Sequence, residues 1–157
     1  MALYSTFRMG ERLFGLDILV VREINRILDI TPVPHSARHI RGLINLRGQI
    51  VTILDLGVKL GLEPRKVGDE THNIILKTDG ELASAHQARH LKTCPDQVGF
   101  LVDSIGDVVE ADASRIEPPS ANVSEAESRY LHGVLKTDAG LLVLLDLEAL
   151  LASGEAA

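Results

Sequence analysis

Short apolar runs alternate with polar punctuation along the whole chain, and few are regular enough for a full helix. The opening YSTFRMGERLFGLDI is two alternating segments around Gly10 and Glu11, the pattern of a hairpin with a tight turn. Over residues 17–30 the apolar positions fit either a helical turn leading into a strand or one helix, and periodicity does not choose between them. Pro32 and Pro34 then interrupt regular structure, because each fixes its own φ and drives the preceding residue towards extended geometry. Ser36 is placed to cap a helical turn running to Ile40. The stretch IRGLINLRGQIVTILDL, residues 40–56, reads as two apolar strands joined by a turn at Arg47 and Gly48, and a short helix over 56–62 stopped by Pro64 follows.

Residues 63–72, EPRKVGDETH, form a polar connection and the best boundary between halves. A strand over 73–77 and another over 97–102 flank a polar excursion of 19 residues, 78–96, long enough to be functional or partly helical. The segment SIGDVVEADASRIEPPS gives a short strand and a turn closed by Pro118 and Pro119. Ser124 then caps a helical turn reaching Tyr130, with Glu127 at the capping-box position. A hairpin over 133–146 turns around Asp138, Ala139 and Gly140, a closing helix covers 147–152, and residues 153–157 fray.

The pattern repeats. A shift of 91 residues places Gly42 on Gly133, Asp55 on Asp146 and Leu56 on Leu147, while a shift of 84 places Gly15 on Gly99, Val21 on Ile105, Glu23 on Asp107 and Ile24 on Val108. Two related halves follow, each a hairpin, a short strand, a helical turn and a second hairpin. Five short strands per half suit a small closed barrel, so the expected fold is mostly β, two five-stranded barrels packed side by side with short helices. Residues 1–152 form the expected domain, split near 63–72, with strand exchange between 1–15 and 66–135 left open.

Composition narrows the function. Of 157 residues 45% are hydrophobic, but aromatics are 3% and Trp is absent, so the core is aliphatic and platforms for stacking bases are scarce. The net charge of -6 disfavours a nucleic-acid partner. It is unevenly spread: residues 1–66 carry +4 and residues 67–157 carry -10, an asymmetry fit to join halves or steer partners, or merely a solvated surface. One cysteine, Cys94, suits a reducing compartment. Without a secretory apolar segment or a run near the roughly 20 residues of a membrane span, the expected location is cytoplasmic.

Motifs for phosphate cradling, dinucleotide binding and nucleophile elbows are absent, and Asp55 and Asp146 read as helix caps. His86, His90 and Cys94 recur every four residues and would share one helix face. His86 and Cys94 would then be about 12 Å apart along the axis, too far to ligate one ion, and a third ligand such as His72 would have to come from elsewhere. No cofactor is expected. Binding is the stronger class, centred on the corner Asn45, Leu46, Arg47 and Gly48, although Arg47 alone fits a solvated turn and Gly42 a bulge.

The run GLINLRGQIVTILDL, preceded by Val21, Glu23 and Ile24 and followed by VGFLVDSIGDVV, RIEPP and YLHGVLKTDAGLLVLLDLEALL, resembles the CheW family of chemotaxis coupling proteins over nearly the whole chain. The resemblance implies two barrels like Src-homology-3 domains. It also implies a non-enzymatic adaptor that bridges the cytoplasmic tip of a chemoreceptor and the regulatory domain of a CheA-type histidine kinase. The implied partner-binding residues are Val21, Glu23, Gly42, Arg47, Ile105 and Val108; Asn45 and Gly48 join them from the corner itself, and the equivalence of Val21 and Ile105 under the shift of 84 places both in the groove where the halves meet. Two departures stand out: Thr52 where the family often has proline, and the long 78–96 excursion. The early start and short tail favour a stand-alone adaptor over a coupling module of a larger kinase or a receiver-fused protein. A small metal- or thiol-dependent enzyme using His86, His90 and Cys94 is the alternative from another class.

Overall fold

The computed structural model describes residues 2–85, 88, 91, 93–119, 129–138 and 140–151. Ten strands are described: β1 (Ala2–Met9), β2 (Arg12–Asp17), β3 (Val21–Asn25), β4 (Ile40–Leu46), β5 (Gln49–Asp55), β6 (His72–Leu76), β7 (Val98–Val102), β8 (Ser104–Ala111), β9 (Leu131–Thr137) and β10 (Gly140–Leu145). Three short helices accompany them: α1 (Leu56–Lys59), α2 (Asp79–Ser84) and α3 (Leu147–Leu151).

The strands form two five-stranded sheets, ordered β8-β1-β2-β10-β9 and β3-β6-β7-β5-β4. One order maps onto the other if β1 to β5 correspond to β6 to β10, and the pairings agree in direction, with a single parallel pair in each sheet, β10 with β2 and β5 with β7. The sequence repeat is therefore a structural repeat, but neither sheet is made from one copy. The hairpin β1-β2 completes its sheet with β8, β9 and β10, and β6-β7 joins β3, β4 and β5. The 63–72 connection separates the two copies while linking β5 to β6 within one sheet.

Alternation along the central strands explains the three apolar clusters. In β7, Val98, Phe100 and Val102 enter a large cluster shared by both sheets, and Leu101 enters the interior of its own sheet. In β2, Phe14 and Leu16 face the shared cluster and Leu13 the interior of the other sheet. A strand buried on both faces needs apolar residues at every position, so these segments read as continuous runs. Gly15 and Gly99 leave room for leucine and isoleucine side chains there: a Cβ would meet Leu142 and Leu144 at 3.2 Å, or Ile75 at 2.7 Å.

Each sheet curls like a barrel without closing. Thr31 covers the free edge of β4 through two hydrogen bonds with Leu43, at 2.8 and 2.9 Å, and Glu117 does the same for β9 through Val134, at 2.8 Å each. That crossing explains two glycines. A Cβ on Gly42, at φ +149, would lie 2.3 Å from the Thr31 carbonyl oxygen, and one on Gly133 would lie 2.8 Å from the Glu117 carbonyl oxygen.

Local chemistry sets the boundaries. The stretch that periodicity left open is a 3-10 turn, Ile18–Val20, leading into β3, with Asp17 Oδ1 accepting from the Leu19 amide at 3.0 Å. Asp55 and Asp146 cap α1 and α3, accepting from Val58 N at 3.3 Å and Ala149 N at 3.1 Å. The helix expected to run to residue 62 ends at Lys59, because Gly61 at φ 88 lets Leu62 N donate to Gly57 O and Gly61 N to Val58 O. Ser36 caps nothing: its hydroxyl donates to Val33 O at 2.8 Å, and the chain passes through a turn at Arg38 and His39 straight into β4. Pro34 and His35 at φ 60 leave no helical register there. The helical turn expected from Ser124 and the frayed tail lie outside the described residues.

The 78–96 excursion is partly helical and tied down. Thr78 and Glu81 form a capping box on α2, and Leu82 and Ala88 are buried in the shared cluster. Its two ends are joined by Asp79 N to Cys94 O at 3.0 Å and Thr93 N to Asp79 Oδ1 at 2.7 Å. Glu81 also pairs with Arg22 of β3. The Arg22 hydrogen bond, opposed by partial burial and helped by the Thr78 amide, lowers the Glu81 pKa below its ordinary 4.5.

Gly42→Ala should destabilise the fold by about 3 kcal/mol or more, since strain and a clash coincide. Gly61→Ala, with φ +88 but open space around it, should cost only about 1 kcal/mol; equal urea midpoints for the two variants would refute this account. A lowered pKa in the folded state means the stabilisation from Glu81 is present above the unfolded value and lost as pH falls through the folded one. Thermal unfolding of Glu81→Gln should accordingly match wild type more closely at pH 3 than at pH 7.

Candidate functional site

The corner singled out in the sequence is a two-residue hairpin turn. Arg47 and Gly48 have φ of 52 and 84, the paired positive values of a type I′ turn, whose twist matches that of the flanking strands. A non-glycine residue in that region is strained. Asn45 offsets this by accepting from the Gly48 amide with its side-chain oxygen at 2.8 Å, holding the turn closed.

Arg47 is not a free donor. Its Nη1 and Nη2 both donate to Glu23 Oε1, at 3.0 and 2.6 Å. Glu23 Oε2 accepts from Asn25 Nδ2 at 3.2 Å, and Asn25 Oδ1 accepts from Ile27 N and from Asn73 Nδ2. The hairpin tip is thereby fastened to β3, beside which the sheet is open, and Asn73, wholly buried, anchors the relay in the interior. The arginine side chain remains 70% exposed, so an isolated pair of this kind contributes only about 0.2 to 1 kcal/mol. What it fixes is the orientation of a guanidinium on the surface.

The bulge between Val21 and Glu23 lets these neighbours diverge. Val21 packs against the shared cluster, and so does Ile105, its equivalent on β8. Both are half-buried where the two sheets meet. Val108, equivalent to Ile24, is 53% exposed on the outer face of β8. Gly42 is buried, and the backbone that approaches it most closely is that of Thr31 in the same chain.

Two residues escaped the sequence reading. Ile50 beside the tip and Leu141 at the equivalent place in the other sheet are 61% and 58% exposed. Strand alternation was the available signal, since Val51 and Ile53 face inward and an isoleucine between glutamine and valine must face out. Each sheet thus offers apolar surface at matching positions. His86 and His90 lie outside the described residues. Cys94 is partly buried against the shared cluster, and no group of three potential metal ligands occurs among the described residues.

Comparison with known proteins gives a consistent result. Residues 3–155 match the CheW-like domain. The chain is 34% identical over 151 residues to a probable chemotaxis protein CheW of Rhizobium etli, covering 95% of this chain and 86% of that one. It is 31% identical over 154 residues to the chemotaxis protein CheW of Klebsiella aerogenes, covering 98% and 84%. A crystal structure of the scaffolding protein TtCheW from Thermoanaerobacter tengcongensis superposes with a TM-score of 0.77 at 28% identity, covering 95% and 86% of the two chains.

A double-mutant cycle of Glu23→Ala and Arg47→Ala should give a coupling of about 0.5 to 1 kcal/mol in folding stability, decreasing with salt. Asn45→Ala should cost about 1 kcal/mol through the lost turn bond. A coupling above 3 kcal/mol in chemical denaturation would instead make the pair a fold-determining contact.

Proposed function

The chain belongs to the CheW-like domain family and is a scaffold of chemotaxis signalling, and on that premise we propose that it couples chemoreceptors to a CheA-type histidine kinase as a non-enzymatic adaptor. The observation that carries this reading is the ion pair of Arg47 with Glu23, which holds an exposed guanidinium at a rigid hairpin tip. A preset donor loses less side-chain entropy when a partner arrives, which favours recognition over mere solvation.

The roles divide by surface. Val21 and Ile105, with Val108, supply apolar contact to a helical receptor tip lying along the junction of the sheets. Arg47, positioned by Glu23 and by the turn that Asn45 and Gly48 maintain, meets a carboxylate or carbonyl group of the kinase regulatory domain, and Ile50 adds apolar area beside it. Gly42 serves indirectly, by letting Thr31 seal the edge of β4. Work at the cytoplasmic face of membrane-associated receptor arrays fits a chain in which no described helix is long and apolar enough to cross a membrane.

Arg47→Glu should weaken assembly with the cognate kinase and receptor by about 1 to 3 kcal/mol while leaving the fold intact. Co-sedimentation and stimulation of kinase autophosphorylation measure it. The exchange E23R/R47E restores the internal pair with reversed polarity: if Arg47 only supports the tip, assembly recovers, and if it meets the partner, assembly stays weak. Wild-type affinity in R47E itself would remove Arg47 from the interface.

A further inference from the structure

Away from the hairpin tip, a cavity of about 200 Å³ opens between the ends of β2 and β10, the start of α3 and Leu91 of the excursion. Three carboxylates, Asp17, Asp146 and Glu148, line it together with Tyr4 and His132, and its described walls contain no lysine or arginine. Tyr4 is only 9% exposed, yet its phenol has no hydrogen-bond partner among the described residues. Tyr4 and Asp17 are direct cross-strand partners, so both side chains lie on one face.

Two of the carboxylates are already oriented. Asp17 and Asp146 each use Oδ1 as a helix cap, to Leu19 N at 3.0 Å and Ala149 N at 3.1 Å. Their second oxygens have no partner among the described residues. Burial, and secondarily the Asp17 charge, raises the Tyr4 pKa above 10.0, so the phenol stays a neutral donor and acceptor. Three carboxylates that face one cavity, with no lysine or arginine among its described walls, attract a positive charge.

The internal repeat shows what that counter-charge resembles. Under the shift of 91 residues, Asp146, Glu148 and His132 correspond to Asp55, Gly57 and Arg41. There the capping carboxylate is neutralised within the chain: Arg41 Nη1 lies 3.6 Å from Asp55 Oδ2. Gly57 leaves space that the Arg65 guanidinium occupies, its Nε only 2.8 Å from where a Cβ would be. In the copy around Asp146 both arginines are missing and a third acid stands in place of the glycine.

We propose that the cavity bounded by Tyr4, Asp17, Asp146 and Glu148 binds a small organic cation, an ammonium group on a compact apolar body. A cavity of 150 Å³ accommodates benzene, so this one takes roughly eight heavy atoms. The carboxylates and the phenol receive the ammonium while Leu91 and the leucines of β2 and β10 cover the body. Leu91 brings the excursion into the site, a role for that residue separate from assembly with kinase or receptor.

The test uses the full chain and three matched probes: benzylamine, benzyl alcohol and benzoate. Titration followed by amide chemical shifts should show saturable binding of benzylamine centred on residues 4, 17 and 146–148, at least about tenfold tighter than benzyl alcohol and with no binding of benzoate. Asp17→Asn keeps a capping oxygen and Glu148→Gln caps nothing, so both should fold as wild type while weakening benzylamine about five- to tenfold. Absence of saturation, equal affinity for the three probes, or unchanged affinity in both variants would each overturn the proposal.

Discussion

Everything in this molecule depends on the burial of its central strands on two faces at once. β2 and β7 each contribute one set of side chains to the interior of a curled sheet and the other set to the cluster between the sheets. Because Phe7, Phe14 and Leu16 from one sheet meet Ile74, Phe100 and Val102 from the other, neither sheet keeps a solvated inner face. Removing such area from water stabilises by roughly 25 cal/mol per Å². The functional surface is what remains once this core is made: a hairpin tip, a few outward apolar residues and the seam between the sheets.

Much of this arrangement was legible in the chain. Two-residue turns such as Gly10 with Glu11 and Arg47 with Gly48 mark hairpins directly, and the matching of Gly15 with Gly99 and Gly42 with Gly133 betrayed the repeat. The same repeat concealed the pairing. Both copies carry equivalent strands, so pattern alone is indifferent to whether β1-β2 adds to β3 or to β8, and only geometry distinguishes them. At residues 36–40 the serine signal failed for a local reason, since proline and a left-handed histidine preceded it.

The site divides similarly. Arg47 stood out as a basic residue at the expected hairpin tip, but its engagement with Glu23 spans 24 residues and belongs to the tertiary fold. Gly42 by itself read as a bulge glycine, and the fold adds that its missing side chain admits Thr31. Ile50 and Leu141 were hidden in plain apolar runs, and only the direction of the strand separates them from core residues. Of the acids around Tyr4, Asp146 read as an ordinary cap and Asp17 and Glu148 carried no signal of their own. What sets them apart is a comparison between copies, one holding arginines and the other a cavity.

The exchange of strands between copies also governs how the molecule is made. On the ribosome, the β1-β2 hairpin emerges before the strands β8, β9 and β10 that complete its sheet. A two-stranded ribbon is marginal alone, and pairings between distant segments form late and slowly. The sheet built from β3 to β7 is complete in sequence by residue 102, so it can assemble first and offer its apolar back to the waiting hairpin. Between the emergence of β7 and that of β10 one sheet can be made while the other cannot, which is when chaperones and proteases would meet the nascent chain.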